Sequence, residues 1–561
     1  MTQIEEYSLK MELNPSNPEE VKQALEELLQ FPIESEEDFR EFMNRVNRAI
    51  DTIMTFVETS YINWSRDTKN PEYEKDYQKV VNEIYPILQE KMNQINRKIY
   101  ESGFMHLLPE PMQRSIRISM ELFRPENIPL STQESRITME YGKLNSAFQF
   151  EWDGKKLTLS EISNLLTSDD RKTREKAFMV MHRTIYEKYG EKIHDILDRL
   201  IDIRTKIARN AGFDNYRDYR WKALEREDYS PEDLEKYRKA VKEHVKPAYE
   251  NVLEILREKL SLDEIKPWDT SANPFGHVKL FGNQEELVSL TKKILGRIDP
   301  YFEEVIDYMD RNDRLDLMAR AGKMQGGYMY HSSDKRIPFI FMNASGSARD
   351  LMTLIHEMGH SINYMLSRHI DYPNLRMGPA EFSEVGSMTL EYFAMEVMED
   401  LIDEKTYRHI VWRQMTSALS IFLHIARIDK FQHWLYLNPE HSHREREEAW
   451  LSIDREFSPE NVKWDGLEKY RNVTWMKQGH IFSAPFYYID YGIAQIGALT
   501  LWRIFRKDRD KALKMYKRGM SVGGTKTLPE LFREAGLEFR FDGDILAPIV
   551  DEIMEKLKEI S

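Results

Sequence analysis

The chain has 561 residues, of which 41% are apolar and 31% charged, with a net charge of -15 and no cysteine. That composition belongs to a soluble globular protein, long enough for two ordinary domains or one large enzyme core. The acidic balance argues against a nucleic-acid partner, because no basic excess is available to neutralise phosphates. The lack of cysteine excludes disulfides, thiolate nucleophiles and cysteine-ligated metal, so any metal must sit on His, Asp or Glu.

The N-terminus, MTQIEEYSLKMELNPSNPEE, has acids where a signal peptide has bases, and no apolar run follows. Further on, 3.6-residue apolar periodicity predicts amphipathic helices over Val21 to Leu29, Phe39 to Val57, Asp76 to Ile99 and Arg171 to Ala208. Later helices are expected over Pro231 to Leu260, Gln284 to Asp310, Tyr407 to Asn438 and Leu499 to Gly519. The fold class is therefore mainly α. Two stretches break the pattern. Alternating apolar residues around Asp153-Gly154 predict a hairpin near 147–159. Gly322 to Asn343, with Gly326-Gly327 and the run from Ile337 to Met342, predicts a small sheet, and Pro338 places its strand at an edge.

The segment Lys266 to His277 reads as the clearest structureless connection. The expected organisation is an N-terminal helical lobe over residues 1–200 and a catalytic region over 201–561. The longest weakly charged stretch, Ala484 to Trp502, contains Pro485, Asp490, two glycines and three tyrosines, so it is not read as a membrane span. A cytoplasmic enzyme is expected, with no membrane association and no obligatory protein partner evident.

Residues 354 to 361 read Leu-Ile-His-Glu-Met-Gly-His-Ser. His356 and His360 stand at i and i+4, so both project from one helix face and can hold one zinc ion. Glu357 would lie beside the metal, where it can accept a proton from water. Ser347 with Asp350 forms a capping-box pattern that starts this helix. With 15 His and 95 acidic residues, a chance His-acid-x-x-His arises only about 0.1 times in such a chain, so the motif outweighs the alternative of two surface histidines. A catalytic zinc usually has three protein ligands. Glu381, Glu384 and Glu391 share a face of the following helix among Phe382, Val385, Met388, Leu390 and Phe393, and three carboxylates there are costly without a cation. The chemistry leaves either Glu381 or Glu384 as the third ligand, with the other acid orienting an imidazole.

HEMGH followed by FSEVGSMTLEYF closely resembles the M3 family of zinc oligopeptidases, in particular its oligoendopeptidase F branch. The resemblance selects Glu384 as the ligand and leaves Glu381 and Glu391 in supporting positions. It extends to Gly326, Gly327 and Tyr328 in a Gly-rich segment, to Pro338 to Met342 including Phe339 as a substrate-facing edge strand, to AGFDNYRDYRW (211–221) and to HIFSAPFYYIDYG (480–492). It implies a helical bowl with a deep channel and one zinc per chain. It also implies endopeptidase action on short unstructured peptides, with His480 and Tyr491 steadying the tetrahedral intermediate and Tyr487 and Tyr488 contacting substrate. The tyrosine spacing between Tyr487 and Tyr491 departs from the branch's usual pattern. A peptide-binding protein with a decayed site would lack one of His356, Glu357, His360 or Glu384, and all four are present. A metallohydrolase for a non-peptide amide or ester is the remaining alternative.

Overall fold

Helices carry most of the chain, and its strands gather in two small sheets. The computed structural model describes Ile4, Tyr7 and residues 11–560, so most of the N-terminal decapeptide read for a targeting signal lies outside the described residues. The periodic stretches do form helices, among them Pro18–Gln30, Glu36–Arg66 and Glu404–Leu437. Two expected helices are each broken in the middle, and an aspartate makes both breaks. Asp299 is extended and caps Tyr301 ahead of Pro300, which splits Gln284–Ile298 from Pro300–Arg311. Asp508 does the same between Ile489–Lys507 and Arg509–Ser521, accepting from the Lys511 N–H. In each case a carboxylate satisfies an amide that a continuous helix would have bonded internally. Three other long helices contain single π turns, at Val80–Ile84, Ile185–Tyr189 and Val241–Val245. A one-residue insertion of this kind barely disturbs apolar periodicity.

The hairpin pairs β1 (Phe150–Trp152) with β2 (Lys155–Leu157). Asp153 and Gly154 both take positive φ, at 49° and 78°, as a two-residue type I′ turn requires. The second sheet contains β3 (Leu315–Met318), β4 (Tyr328–Ser332) and β5 (Ile337–Ala344) in the order β3-β5-β4. The strand carrying Pro338 is thus central, and the free edge beside it belongs to β4. The proline is tolerated because β3 pairs with β5 only from Ile340 onward, so no β3 acceptor is opposite the missing N–H of Pro338.

The described chain divides into two compact units. One comprises residues 1–120, 279–404 and 497–539. Its N-terminal helices bury Val21, Leu25, Phe39, Phe42 and Ile53 in a cluster that also takes in Ile370 and Leu375. The same unit holds the three-stranded sheet and the HExxH helix. The other comprises residues 121–278, 405–496 and 540–561. Within it, Phe178, Trp268, Leu467 and Tyr470 form a small apolar cluster. The segment from Lys266 to His277 is tied down there rather than structureless. Asp269 is fully buried and accepts from Arg171 Nη2 at 2.7 Å, Arg174 Nη2 at 3.0 Å and the Lys266 N–H at 3.0 Å. Among the described residues, no helix is long and apolar enough to cross a membrane.

Candidate metal centre

The HExxH helix, Ala348–Ser367, begins with the expected capping box. Ser347 Oγ accepts from the Asp350 N–H, and the Asp350 carboxylate returns to the N–H groups of Ser345, Gly346 and Ser347 at 2.9, 3.0 and 2.9 Å. The start of the helix is therefore fixed two turns before His356. A second helix, Ala380–Val397, carries the glutamates. The two helices approach until backbone meets backbone. A Cβ built on Gly359 would lie 2.5 Å from Ser387 Cα and 3.1 Å from the carbonyl oxygens of Gly386 and Ser387. No side chain fits there, so the glycine inside the HExxH motif sets how near Glu384 can come to the histidines.

That approach brings His356, His360 and Glu384 together, with one ligand atom from each inside 4.8 Å of the others. His356 Nε2 is 3.5 Å and His360 Nε2 3.7 Å from Glu384 Oε2. The imidazole planes are nearly perpendicular, at 85°, with ring centroids 4.9 Å apart. Ser387 Oγ donates to the same Glu384 oxygen at 2.7 Å and holds the carboxylate in place. The other nitrogen of His356, Nδ1, is 2.7 Å from Glu391 Oε1. Glu384 and Glu391 lie two turns apart on one helix face, so a single imidazole bridges them. Glu381 is buried one turn before Glu384 and stands outside the converging group.

The electrostatics fit a cation. Burial alone would lower the pKa of His356, but the Glu391 hydrogen bond and the charges of Glu391, Glu384 and Glu357 raise it to about 9. Burial, reinforced by the charge on His356, pushes His360 down to about 4 against the pull of Glu384. Glu357 is raised to about 7, chiefly by burial and by its neighbours Glu384 and Glu391, against the opposing pull of His356. Three carboxylates converge here on two histidines, an excess of negative charge that a divalent ion would neutralise.

Glu357 is 8% exposed, and the backbone N–H of Met329 on β4 works weakly against the rise in its pKa. β4 pairs only with β5 among the described strands, so its other side is a sheet edge. Tyr328 and Tyr330 point to the opposite sheet face, where Tyr328 stacks on Phe341 at 4.9 Å and Tyr61 packs against both tyrosines. Gly326 and Gly327 lead into β4 and are exposed. Gly326 needs its glycine, with φ +110°, and its carbonyl accepts from Asn343 Nδ2 at 2.8 Å. Phe339 is 3% exposed and lies under the Arg66 guanidinium, so it is a packing residue of the sheet rather than a substrate contact.

The aromatic segment from His480 to Gly492 belongs to the other unit. His480 is ringed by Tyr487, Tyr488 and Tyr491 at centroid distances of 6.0, 4.9 and 6.0 Å. Its path is set by buried charges that sequence reasoning missed. Arg204, 1% exposed, donates to the carbonyls of Ile481 and Phe482 and to Tyr436 Oη. Arg226 pairs with Asp490 and lies over Trp221, which ties the 211–221 segment to the start of the helix carrying Tyr491. Between these anchors Phe486 is forced to φ 66°, a conformation rare for a bulky side chain, while its N–H donates to Gln432 Oε1 at 2.8 Å. A buried arginine in a polar helix stretch carries no periodic signal that would mark it as a loop anchor.

Two imidazoles one turn apart and a glutamate from the next helix, in a largely helical chain, define the His-His-Glu class of metallohydrolase site. Residues 164–550 match Peptidase family M3 and residues 9–122 match the Peptidase M3 N-terminal domain, so the chain belongs to peptidase family M3. It is 22% identical to Oligopeptidase PepF of Bacillus subtilis (strain 168) over 416 residues, 72% of this chain and 60% of that relative's length. It is 23% identical to an Oligoendopeptidase F homolog of Borreliella burgdorferi over 74% of this chain and 72% of the relative. Among solved structures it is similar to PZ peptidase A with inhibitor 2, with a TM-score of 0.87, 28% identity and 98% of each chain covered. A putative oligoendopeptidase F from Bacillus anthracis str. Ames aligns at a TM-score of 0.82 with 25% identity over 99% of both chains.

Proposed function

We propose that this chain is a zinc-dependent endopeptidase that hydrolyses internal bonds of short, unstructured peptides in the cytoplasm. The observation that carries the reading is the convergence of His356, His360 and Glu384 beside the buried Glu357. The donor set suits zinc: two imidazole nitrogens, one carboxylate oxygen and no thiolate. One zinc per chain would be held by His356, His360 and Glu384, with Glu391 keeping the His356 ring aligned. When bound, zinc supplies Lewis acidity that acidifies a water and polarises the scissile carbonyl.

The remaining steps fall to the chain's own residues. Glu357 takes the proton from the attacking water and delivers it to the leaving amine, a role worth about 10²- to 10⁴-fold in rate. The peptide adds along the free edge of β4, where main-chain hydrogen bonds fix its register and the exposed Gly326-Gly327 allows close approach. His480 and Tyr491 donate to the developing oxyanion, and Tyr487 and Tyr488 flank the peptide, roles that rest on the resemblance to the oligoendopeptidase F branch. The relatives' printed names, oligopeptidase and oligoendopeptidase, support short peptides as the substrate class.

The test is cleavage of a quenched-fluorescent peptide of about ten residues, with a chelator control and a folded protein alongside. Cleavage of the peptide alone, abolished by chelator and restored by zinc, is expected. Failure to cleave with zinc bound would overturn the peptidase reading, and cleavage of the folded protein would overturn the restriction to short peptides.

A further inference from the structure

Gln478 lies two residues before His480 and bonds two histidines at once. Its Oε1 is 3.0 Å from Nε2 of His424, on the long helix Glu404–Leu437, and its Nε2 is 2.8 Å from Nδ1 of His480. An amide oxygen only accepts and an amide nitrogen only donates. With the amide in this orientation, His424 carries a proton on Nε2 and His480 offers a bare Nδ1. A neutral imidazole has a single N–H, so the proton of His480 sits on Nε2, which has no protein partner among the described residues.

We infer that Gln478 is a positioning residue: its amide, held by His424, locks His480 in the tautomer that presents Nε2–H to the peptide oxygen. The inference rests on the proposed role of His480 as an oxyanion donor and supplies the reason that ring can donate. With the proton on Nδ1, the outward nitrogen would be a lone pair and would repel a developing oxyanion.

The surroundings keep both rings neutral. His480 faces Tyr487, Tyr488 and Tyr491, and burial lowers its pKa. His424 meets Tyr488 edge-on at 5.5 Å. Burial and the cations Arg427 and Lys477 push its pKa down to about 4, against the Gln478 hydrogen bond and the more weakly felt Asp454. A neutral His424 with its proton on Nε2 is the donor that the Gln478 amide oxygen faces.

The decisive variant is Gln478→Glu, which keeps the shape and replaces the donor facing His480 with an acceptor. The His480 proton should move to Nδ1, and the imidazolium should persist to higher pH beside the carboxylate. Below that raised pKa both nitrogens carry protons and Nε2–H survives. Above it Nε2 is bare, and kcat should fall about 100-fold with KM little changed, the usual loss for one oxyanion donor. The variant therefore loses kcat on the alkaline side at a pH where wild type still holds it. His424→Phe serves as a second variant, since it frees the amide to rotate and should populate both tautomers.

The readout independent of turnover is ¹⁵N NMR of the full-length protein labelled at histidine, with His480 assigned by comparison with His480→Phe. The expected spectrum shows an unprotonated Nδ1 in wild type and a protonated one in Gln478→Glu. A protonated Nδ1 in wild type, or a Gln478→Glu variant that loses kcat equally at every pH, would overturn the tautomer lock. Unchanged kcat in His480→Phe would instead overturn the donor role on which the inference rests.

Discussion

Nδ1 of His356 and Oε1 of Glu391 are 2.7 Å apart, joined by a hydrogen bond between neighbouring helices. The bond fixes the ring plane and leaves Nε2 facing Glu384. Partners of this kind typically contribute about 10- to 100-fold to metal affinity. Glu391→Gln should weaken zinc binding by that factor while leaving kcat at saturating zinc nearly intact, as measured by competition with a chromophoric chelator. An unchanged affinity would mean that helix packing alone aligns the ring.

Glu357 touches no candidate ligand atom closely enough to join the metal cluster, yet it is buried beside it. Glu357→Gln keeps the size and removes the base. Zinc content should stay at one per chain, while turnover falls by about 10²- to 10⁴-fold. Activity within tenfold of wild type would transfer the base role to another group.

Gly359 offers a test of architecture rather than chemistry. A methyl group there would press on Ser387 Cα and two backbone carbonyls. Backbone cannot rotate away as a side chain can, so the helices must separate. Gly359→Ala should cost roughly 1–3 kcal/mol of stability. It should also weaken zinc binding, because Glu384 moves away with its helix. Calorimetric melting with and without zinc reads both effects. A variant of wild-type stability and affinity would show that the helix spacing has slack.

His182 supplies a pH dependence of stability in the second unit. It is 4% exposed and hydrogen-bonds the Phe178 carbonyl through Nδ1 at 2.9 Å. Burial, helped by the charge of Lys477, pushes its pKa from 6.5 down to about 3. The folded state thus refuses a proton that the unfolded chain accepts below about pH 6.5. Stability present above that pH is lost on acidification at up to roughly 1.4 kcal/mol per pH unit, levelling off near the folded pKa. His182→Gln should flatten this slope between pH 7 and pH 5, as read from urea midpoints. An identical slope in the variant would place the acid sensitivity elsewhere.

The parts of the site that follow from local spacing were legible in the sequence. His356 and His360 one turn apart, the Ser347-Asp350 cap and the Asp153-Gly154 turn all depend on residues within a few positions of one another. The helical class was legible for the same reason. Features that depend on distant packing were not. Pro338 argued for an edge strand, but edge or centre depends on where β3 begins to pair, and that is set by residues around Leu315. Gly359 read only as one position within HExxH, because its partners at Gly386 and Ser387 lie on another helix. Asp269 sat in a segment rich in turn residues, and its burial depends on Arg171 and Arg174 far upstream. Gln478 carried no signal, since His424, which faces the other end of its amide, lies 54 residues upstream on another helix.

In the proposed site, His356, His360 and Glu384 hold the metal that drives hydrolysis. Zinc-edge X-ray absorption on protein loaded with one equivalent of zinc tests it most directly. Two imidazole nitrogens at about 2.0–2.1 Å are expected, together with oxygen donors and no sulfur. Glu384→Ala should lose an oxygen scatterer and His356→Ala an imidazole. A wild-type spectrum with fewer than two imidazoles, or one unchanged by either substitution, would contradict it.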